Sequence, residues 1–153
     1  MSTDQIEESA LTYRSNVYRP ALLAWLRLAR VFQKIDRISA ERFRCNCLSV
    51  AQFDVLARVG SSQGLTQQEL ADSLLVTKGN VCQLLDRMEQ ANLLERRQEG
   101  RTNRLFLTER GQELYATIIP AHEETIVQLF AALSNEEQMQ LLRLLSRLDH
   151  SLV

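Results

Sequence analysis

The stretch of sequence that decides the fold runs from Gly64 to Gly111 and reads GLTQQELADSLLVTKGNVCQLLDRMEQANLLERRQEGRTNRLFLTERG. It predicts a helix, a tight turn, a second helix and then a two-stranded hairpin. The first helix begins at a capping box, because the hydroxyl of Thr66 can accept from the backbone N–H of Glu69 while the Glu69 carboxylate reaches back. Thr77 follows the turn and is a good N-cap for the second helix.

The second helix has two chemically different faces. Apolar side chains recur at i, i+3, i+4 and i+7, which predicts one stripe facing a core: Val81, Leu84, Leu85 and Met88. The opposite face carries polar and basic side chains: Lys78, Asn80, Gln83, Arg87 and Gln90. Asn92 tolerates a positive φ and is expected to end this helix as a left-handed cap.

After that cap the apolar period shortens, which predicts two strands at residues 93–97 and 105–107. The polar QEGRTN segment between them suits the tip of a hairpin, and Thr108 is expected to cap the helix that follows. Such a helix pair with an attached hairpin is a winged helix-turn-helix.

The residue types on the second helix favour contact with DNA. A short helix pair with a tight turn can place the outer face of its second helix in a major groove about 12 Å wide. We expect Asn80 and Gln83 to read base edges there, with Thr77, Lys78 and Arg87 mainly on phosphate. The alternative is a winged helix that binds another protein, in which these charges are only a solvated face.

The hairpin tip adds basic side chains of a second kind. Arg101 lies beside Gly100 and is predicted to enter a narrow minor groove, where the negative potential of DNA is deepest. Glu99 stands two residues away, and its carboxylate can orient the Arg101 guanidinium. Arg104 is expected to hold either a phosphate or another part of the hairpin.

The same stretch resembles the MarR family of winged-helix regulators. The matching residues are Thr77, Lys78, Val81, Leu84, Asp86, Arg87, Met88, Glu89 and Leu93 in the second helix, Glu99, Arg101, Leu107, Thr108 and Gly111 in the wing, and Leu48, Ser49, Gln52, Val55 and Leu56 upstream. The departures from the family pattern are Glu99 in place of Asp, Gly100 in place of a basic residue, Gln83 in place of Arg, Cys82 in place of Thr and Asn92 in place of Gly. The resemblance implies a homodimeric repressor of a pseudo-palindromic operator, which a small and often aromatic effector releases.

Helices are predicted upstream of the decisive stretch. Pro20 suits the first turn of a long helix that runs to about Phe43. Ser49 with Gln52 forms a second capping box and opens a short helix, which we expect to end at a turn over residues 60–64.

Downstream, a long helix is expected from Thr108 to about residue 133, with Pro120 kinking it or splitting it in two. Ser134 is expected to cap a last, strongly apolar helix. The predicted fold is therefore mainly α, a winged helix-turn-helix with a two-stranded β-wing and long terminal dimerisation helices. We interpret residues 1–153 as a single domain, with a DNA-binding lobe at about 48–110 and a dimerisation lobe formed by about 12–44 and 111–150.

Charge is distributed unevenly along the chain. The net charge is −1, yet residues 14–44 carry eight basic side chains against two acidic ones. Residues 76–111 carry seven basic against five acidic, and from 112 onward two basic face six acidic. Because phosphate binding depends on the local field, this distribution is compatible with one DNA-binding end and one acidic end.

The residue inventory argues against an enzyme and predicts neither a cofactor nor a metal. The two histidines, His122 and His150, stand in no Ser/His/Asp or Cys/His pattern. No Gly-rich phosphate loop follows a predicted strand. The nearest metal candidate is His122 with Glu123 and Glu124, a cluster more typical of a solvated helix surface.

Cysteine content leaves a second mode of regulation open. The sequence contains three cysteines, Cys45, Cys47 and Cys82, and Arg42 and Arg44 lie within three residues before the first. Positive charge makes a thiol easier to oxidise, so redox sensing is one hypothesis and plain packing of three small residues is the other. The sequence has no signal-peptide pattern and no apolar run of about 18 residues, which predicts a cytoplasmic protein with no membrane partner.

Overall fold

The structure is a computed structural model that describes residues 19–74 and 78–152. In this part of the chain six helices and two strands follow in the order α1 Pro20–Cys45, α2 Val50–Ser61, α3 Gln67–Leu74, α4 Lys78–Gln90, β1 Leu94–Glu99, β2 Thr102–Leu107, α5 Glu109–Phe130 and α6 Asn135–Ser151. This order confirms the mainly α, winged helix-turn-helix class expected from the sequence. None of the helices in the described ranges is long and apolar enough to cross a membrane.

The chain divides into two compact units, the first ending at Arg37 and the second beginning at Ile38. In the described part of the first unit, α1 leaves several large apolar side chains exposed: Leu22, Trp25, Leu26, Leu28, Val31 and Phe32. These side chains have helical spacing, and Trp25 and Phe32 are the most exposed, at 62% and 67%.

The second unit contains the hydrophobic core. It is built from the C-terminal end of α1, from α2, α3 and α4, from both strands and from α5, and its buried members are Phe43, Leu48, Phe53, Val55, Leu56, Val59, Leu70, Ala71, Val81, Leu85, Met88, Leu93, Leu94, Leu105, Leu107 and Ile118. Burying one such Leu or Val side chain fully stabilises the fold by about 1.5–3 kcal/mol. The predicted stripe of α4 is confirmed, because Val81, Leu85 and Met88 are fully buried and Leu84 packs against the core.

Capping boxes begin α2 and α3, as the sequence predicted. At α2, the Gln52 N–H donates to Ser49 Oγ at 3.2 Å and the Ser49 N–H donates to Gln52 Oε1 at 2.9 Å. At α3, the Glu69 N–H donates to Thr66 Oγ1 at 3.1 Å and the Thr66 N–H donates to Glu69 Oε2 at 2.7 Å. The hydrogen bond that the Thr66 N–H donates to the Glu69 carboxylate lowers the pKa of Glu69.

The two downstream caps are also confirmed. Thr108 Oγ1 accepts from the Gly111 N–H at 3.1 Å at the start of α5. Ser134 and Glu137 form a third capping box at the start of α6, so every cap that the sequence placed on a described residue is present.

One helix expectation was wrong, and one of the two alternatives at Pro120 is excluded. The chain does not turn at Gly60, because α2 continues to Ser61. A Cβ on Gly60 would lie 2.2 Å from the Tyr115 ring, so this glycine permits close helix packing rather than a turn. Pro120 does not split α5, which runs unbroken from Glu109 to Phe130. Proline removes a single N–H donor from the helix. The helix stays continuous because α5 packs against the core both before and after Pro120.

Candidate nucleic-acid interface

The site is centred on α4, whose buried stripe fixes which side chains point outward. Because Val81, Leu85 and Met88 face the core, Asn80, Gln83 and Arg87 are turned to the surface and are exposed. Arg87 lies in the last turn, where a cation also interacts favourably with the helix dipole. These three predicted DNA-binding residues therefore share the exposed face that the sequence assigned to them.

The start of α4 is less fully described. Lys78 is the first residue of the helix, which places its backbone at the N-terminal turn. Thr77, predicted as the N-cap, and the turn that precedes it lie outside the described residues. The other end is confirmed, because Asn92 has φ 55 and the Leu93 N–H donates to the Met88 carbonyl at 2.9 Å.

The wing is longer than the sequence predicted. Its two antiparallel strands extend to Glu99 and Thr102, which pair with each other, so Gln98, Glu99, Thr102 and Asn103 belong to the strands rather than to a loop. The connection is a two-residue turn of Gly100 and Arg101, and Gly100 has φ +62. A tight hairpin with a positive φ at its first central residue continues the ladder to the tip, which polarity alone could not reveal.

Arg101 and Arg104 differ in their surroundings. Arg101 is exposed in the turn itself. Arg104 donates through Nε to Glu99 Oε2 at 2.6 Å and through Nη1 to the Gly64 carbonyl at 2.8 Å. The expectation that Glu99 orients Arg101 was therefore wrong for this structure. Glu99 pairs with Thr102, which puts Arg104 at the diagonal position on the same face of the ribbon, while Arg101 stands outside the ladder.

Arg104 also has a structural role that the sequence did not specify. Its contact with Gly64 joins β2 to the segment before α3, where the Gly64 N–H donates to the Leu105 carbonyl at 2.8 Å and the Leu105 N–H to the Leu65 carbonyl at 2.9 Å. These bonds make the segment before α3 a third, short partner of the sheet. Arg104 thus holds the hairpin to the body of the second unit.

Arg96 was the residue that sequence reasoning missed. Its guanidinium reaches back from β1 to α4, where Nη2 donates to Asp86 Oδ1 at 2.5 Å and to the Cys82 carbonyl at 3.2 Å. The Glu89 carboxylate lies 3.5 Å from Nη1 and accepts from the Arg96 backbone N–H at 2.9 Å. One feature of the sequence could have indicated this contact. Helix α4 carries two carboxylates, Asp86 and Glu89, although its other surface residues suit a negatively charged ligand.

The three cysteines are exposed and form no disulfide in the structure. Cys45 ends α1, and Cys47 has φ 57 in the turn that follows. Cys82 lies on α4, where Gln67 Nε2 of α3 donates to its Sγ at 2.8 Å. The alternative that all three are plainly packed small residues is therefore wrong, because all three residues are exposed in this chain.

His122 belongs to an aromatic cluster in the second unit. Its ring lies edge-on to Phe53 at 4.7 Å between centroids and 5.2 Å from Phe43, and these two phenylalanines stack at 4.0 Å. Burial lowers the pKa of His122 from its ordinary value, since the charged imidazolium loses hydration there. Within residues 19–74 and 78–152 no three His, Cys, Asp or Glu side chains are placed to hold a metal ion.

An exposed polar helix, a basic two-stranded wing and a helix pair packed on one core define a winged helix-turn-helix of the DNA-binding class. Residues 48–104 match the model of the MarR family. An HTH-type transcriptional regulator of Bacillus cereus is 34% identical over 120 residues, which cover 78% of this chain and 82% of the relative. The regulator PecS of Dickeya dadantii is 32% identical over 132 residues, covering 82% of this chain and 80% of PecS.

Solved structures agree with the sequence comparison. A MarR-family protein from Listeria monocytogenes, solved in complex with a 26mer DNA, superposes with a TM-score of 0.74 at 25% identity and covers 83% of this chain and 87% of that protein. The chain belongs to the MarR family of DNA-binding transcriptional regulators. The matched residues extend from the end of the α1–α2 connection to the middle of β2, so the match covers α4 and the first strand of the wing.

Proposed function

We propose that the protein is a homodimeric repressor that binds a pseudo-palindromic operator through α4 and the wing, and that a small ligand releases it. The observation that carries this proposal is the exposed face of α4, on which Asn80, Gln83 and Arg87 stand beside a wing that ends in Arg101. One amide side chain can form two hydrogen bonds with the edge of an adenine, and an arginine can bond a phosphate or enter a minor groove. The DNA complex of the Listeria neighbour supports the same use of the fold.

The dimer is proposed from apolar surface that has no partner in one chain. Helix α6 contains no buried residue, and its exposed apolar side chains are Met139, Leu142, Leu144, Leu145 and Leu148. A contiguous apolar face of this kind marks an interface rather than a solvated surface. The exposed apolar side chains of α1 form a second such face, and we assign about residues 12–44 and 111–150 to dimerisation and about 48–110 to DNA binding.

Selection from a pool of random duplexes, using the purified protein, tests the DNA part of this proposal. The selected sequence is expected to contain two inverted half-sites, because a twofold dimer presents two α4 helices about one helical turn apart. Affinity for that duplex is expected to fall steeply as salt rises, since phosphate contacts release counterions. Failure to enrich any sequence would favour a winged helix that binds protein instead.

Two substitutions are expected to distinguish the residue that reads bases from the residue that contacts phosphate. Gln83→Ala removes an amide that can bond a base edge, so it should reduce the preference for the selected duplex over altered versions of it. Lys78→Ala removes a charge, so it should weaken all duplexes alike and lower the salt slope by about one. Titrations of both variants on selected and altered duplexes over a salt series measure the difference. Identical profiles for the two variants would contradict this division of roles.

Release by a small effector is proposed from the family membership, and the chain offers aromatic residues that could contribute to a site. Tyr13 and Tyr18 lie outside the described residues, Trp25 and Phe32 are exposed, and Phe43 and Phe53 are buried in the core. Tyr115 packs over Gly60. A thermal-shift screen with simple aromatic acids is expected to find at least one that raises Tm and weakens DNA binding.

Oxidation is the alternative control, and the exposure of all three thiols is the observation that favours it. If no aromatic acid stabilises the protein, mild peroxide treatment should change DNA affinity in the wild type and not in a protein with Cys45, Cys47 and Cys82 replaced by Ser. An unchanged affinity after oxidation would leave a repressor without either control.

A further inference from the structure

One arginine of the wing holds three successive turns of α4. Asp86, Glu89 and the carbonyl of Cys82 all contact Arg96, and they lie at positions i+4, i+7 and i of one helix face. The backbone of Arg96 is tied to the same helix through the Glu89 carboxylate. The Arg96 side chain is only 23% exposed, so solvent screens these contacts less than it screens a surface ion pair.

The position of Arg96 along β1 gives these contacts a mechanical role. Leu94 is the buried anchor of the strand, Glu95 and Arg96 are half-buried, and the residues from Arg97 onward are exposed. Arg96 is therefore the outermost residue of β1 whose side chain is bonded to a helix. The partner strand is tied elsewhere, since Arg104 of β2 donates to the Gly64 carbonyl. In the described part of the chain, the side-chain hydrogen bonds between α4 and β1 all involve Arg96.

We propose that Arg96 is a positioning residue that fixes the angle between α4 and the wing. Gln83 on α4 and Arg101 on the wing are then held in a fixed relative position when they bind DNA. This inference rests on the proposed function and adds to it a determinant of sequence preference that does not touch DNA. A guanidinium suits the task because its planar fork can bond a carboxylate and a carbonyl together, whereas an ammonium lacks that geometry. A correctly set angle lets major-groove and minor-groove contacts form together without further ordering.

The acidic partner makes the inference testable, because a purely electrostatic role and a positioning role predict different outcomes for one substitution. Asp86 is 55% exposed and lies on the helix that is proposed to enter the major groove. If electrostatics alone controlled binding, Asp86→Asn would remove a repulsive charge and tighten binding to every duplex. If Asp86 acts by holding Arg96, the same substitution loosens the wing and lowers the preference for the selected duplex. The first account predicts higher affinity for every duplex with an unchanged ratio between duplexes, whereas the second predicts a lowered ratio.

The experiment measures the ratio of affinities for the selected duplex and for a scrambled duplex of equal length. Asp86→Asn and Arg96→Met are each expected to lower this ratio roughly tenfold, the scale of one charge-assisted hydrogen bond. Arg96→Lys should restore part of the ratio. Arg97→Met is the matched control, because Arg97 is the next residue on the same strand and pairs with Glu95 of its own strand instead of with α4. Its ratio should stay within about twofold of wild type after the same loss of charge.

A measurement without DNA separates the inference from the proposed function. Hydrogen exchange at the amides of Arg97 and Glu99, which belong to the hydrogen-bonded pairs of the ladder, should be faster in Asp86→Asn than in wild type, with melting temperatures matched within a few degrees. Faster exchange together with a lowered ratio supports the inference, even if Arg96→Met fails to fold. A wild-type protein with sequence preference whose Asp86→Asn variant keeps both ratio and exchange would overturn this inference alone. A wild-type protein that prefers no duplex would overturn the proposed function and this inference with it.

Discussion

Replacing Arg101 with alanine is expected to weaken binding to the selected duplex by roughly ten- to a hundredfold, which corresponds to about 1–3 kcal/mol. Arg101 is exposed in the two-residue turn at the wing tip. Because it stands outside the strand ladder, its loss should remove a DNA contact without disturbing the sheet. Arg101→Lys should recover only part of the affinity, since an ammonium is more strongly hydrated and lacks the planar fork. Binding titrations at fixed salt measure the change.

The matched control for Arg101 is another wing arginine. Arg97→Ala removes the same charge from the exposed ribbon, where the guanidinium pairs with Glu95 and lies 4.3 Å over the Phe106 ring. We expect it to cost less affinity than Arg101→Ala. Arg104 is unsuitable as a control because its contacts with Glu99 and Gly64 support the hairpin. Full-strength binding by Arg101→Ala, with a wild-type circular dichroism spectrum, would contradict the minor-groove assignment and leave α4 unaffected.

Replacing two leucines of α6 with glutamate is expected to convert the proposed dimer into a monomer. Leu142 and Leu148 are 56% and 51% exposed in the single chain, so the substitutions should not disturb its own core. Buried against a second copy, the two carboxylates would lose hydration without gaining a partner. The variant should sediment as a monomer at micromolar concentration. It should lose roughly a hundredfold or more of its affinity for a duplex with two half-sites, because joint binding of both is lost.

The chain offers a control with matched charge on the same helix. Gln140→Glu together with Arg143→Gln changes the net charge by the same two units at exposed positions and leaves the leucines in place. This variant is expected to remain a dimer. Leu142→Glu/Leu148→Glu should also keep the affinity of wild type for a duplex with one half-site, which separates assembly from DNA contact. A wild-type monomer, or a leucine variant that stays dimeric, would rule out α6 as the interface.

Local signals in the sequence were enough to place most elements of the fold. Capping boxes depend on residues three apart, so Ser49, Thr66 and Ser134 could each be identified as helix starts without knowledge of packing. The buried stripe of α4 follows from its period in the same way, and this stripe determines that Asn80, Gln83 and Arg87 face outward. These exposed side chains are the part of the site that sequence reasoning could reach.

Features that depend on pairing or close packing were beyond the sequence. The role of Gly60 depends on the Tyr115 ring, which lies 55 positions further along the chain. The partner of Glu99 depends on the register of the hairpin, which a polar tip leaves open because it does not fix the strand ends. The contacts of Arg96 with α4 depend on the angle between α4 and β1, which no local sequence pattern specifies. Contacts between residues that are distant in the sequence can be identified only when the three-dimensional fold is known.

Hydroxyl-radical footprinting of the wild-type protein on its selected duplex tests most directly whether α4 and the wing bind DNA as proposed. The expected pattern is two protected regions related by a twofold axis and centred about one helical turn apart, roughly 34 Å, each flanked by protection of a minor groove. In Arg101→Ala the flanking minor-groove protection should disappear while the central regions remain. A single unsymmetrical protected region, or a minor-groove pattern unchanged in Arg101→Ala, would contradict this mode of binding.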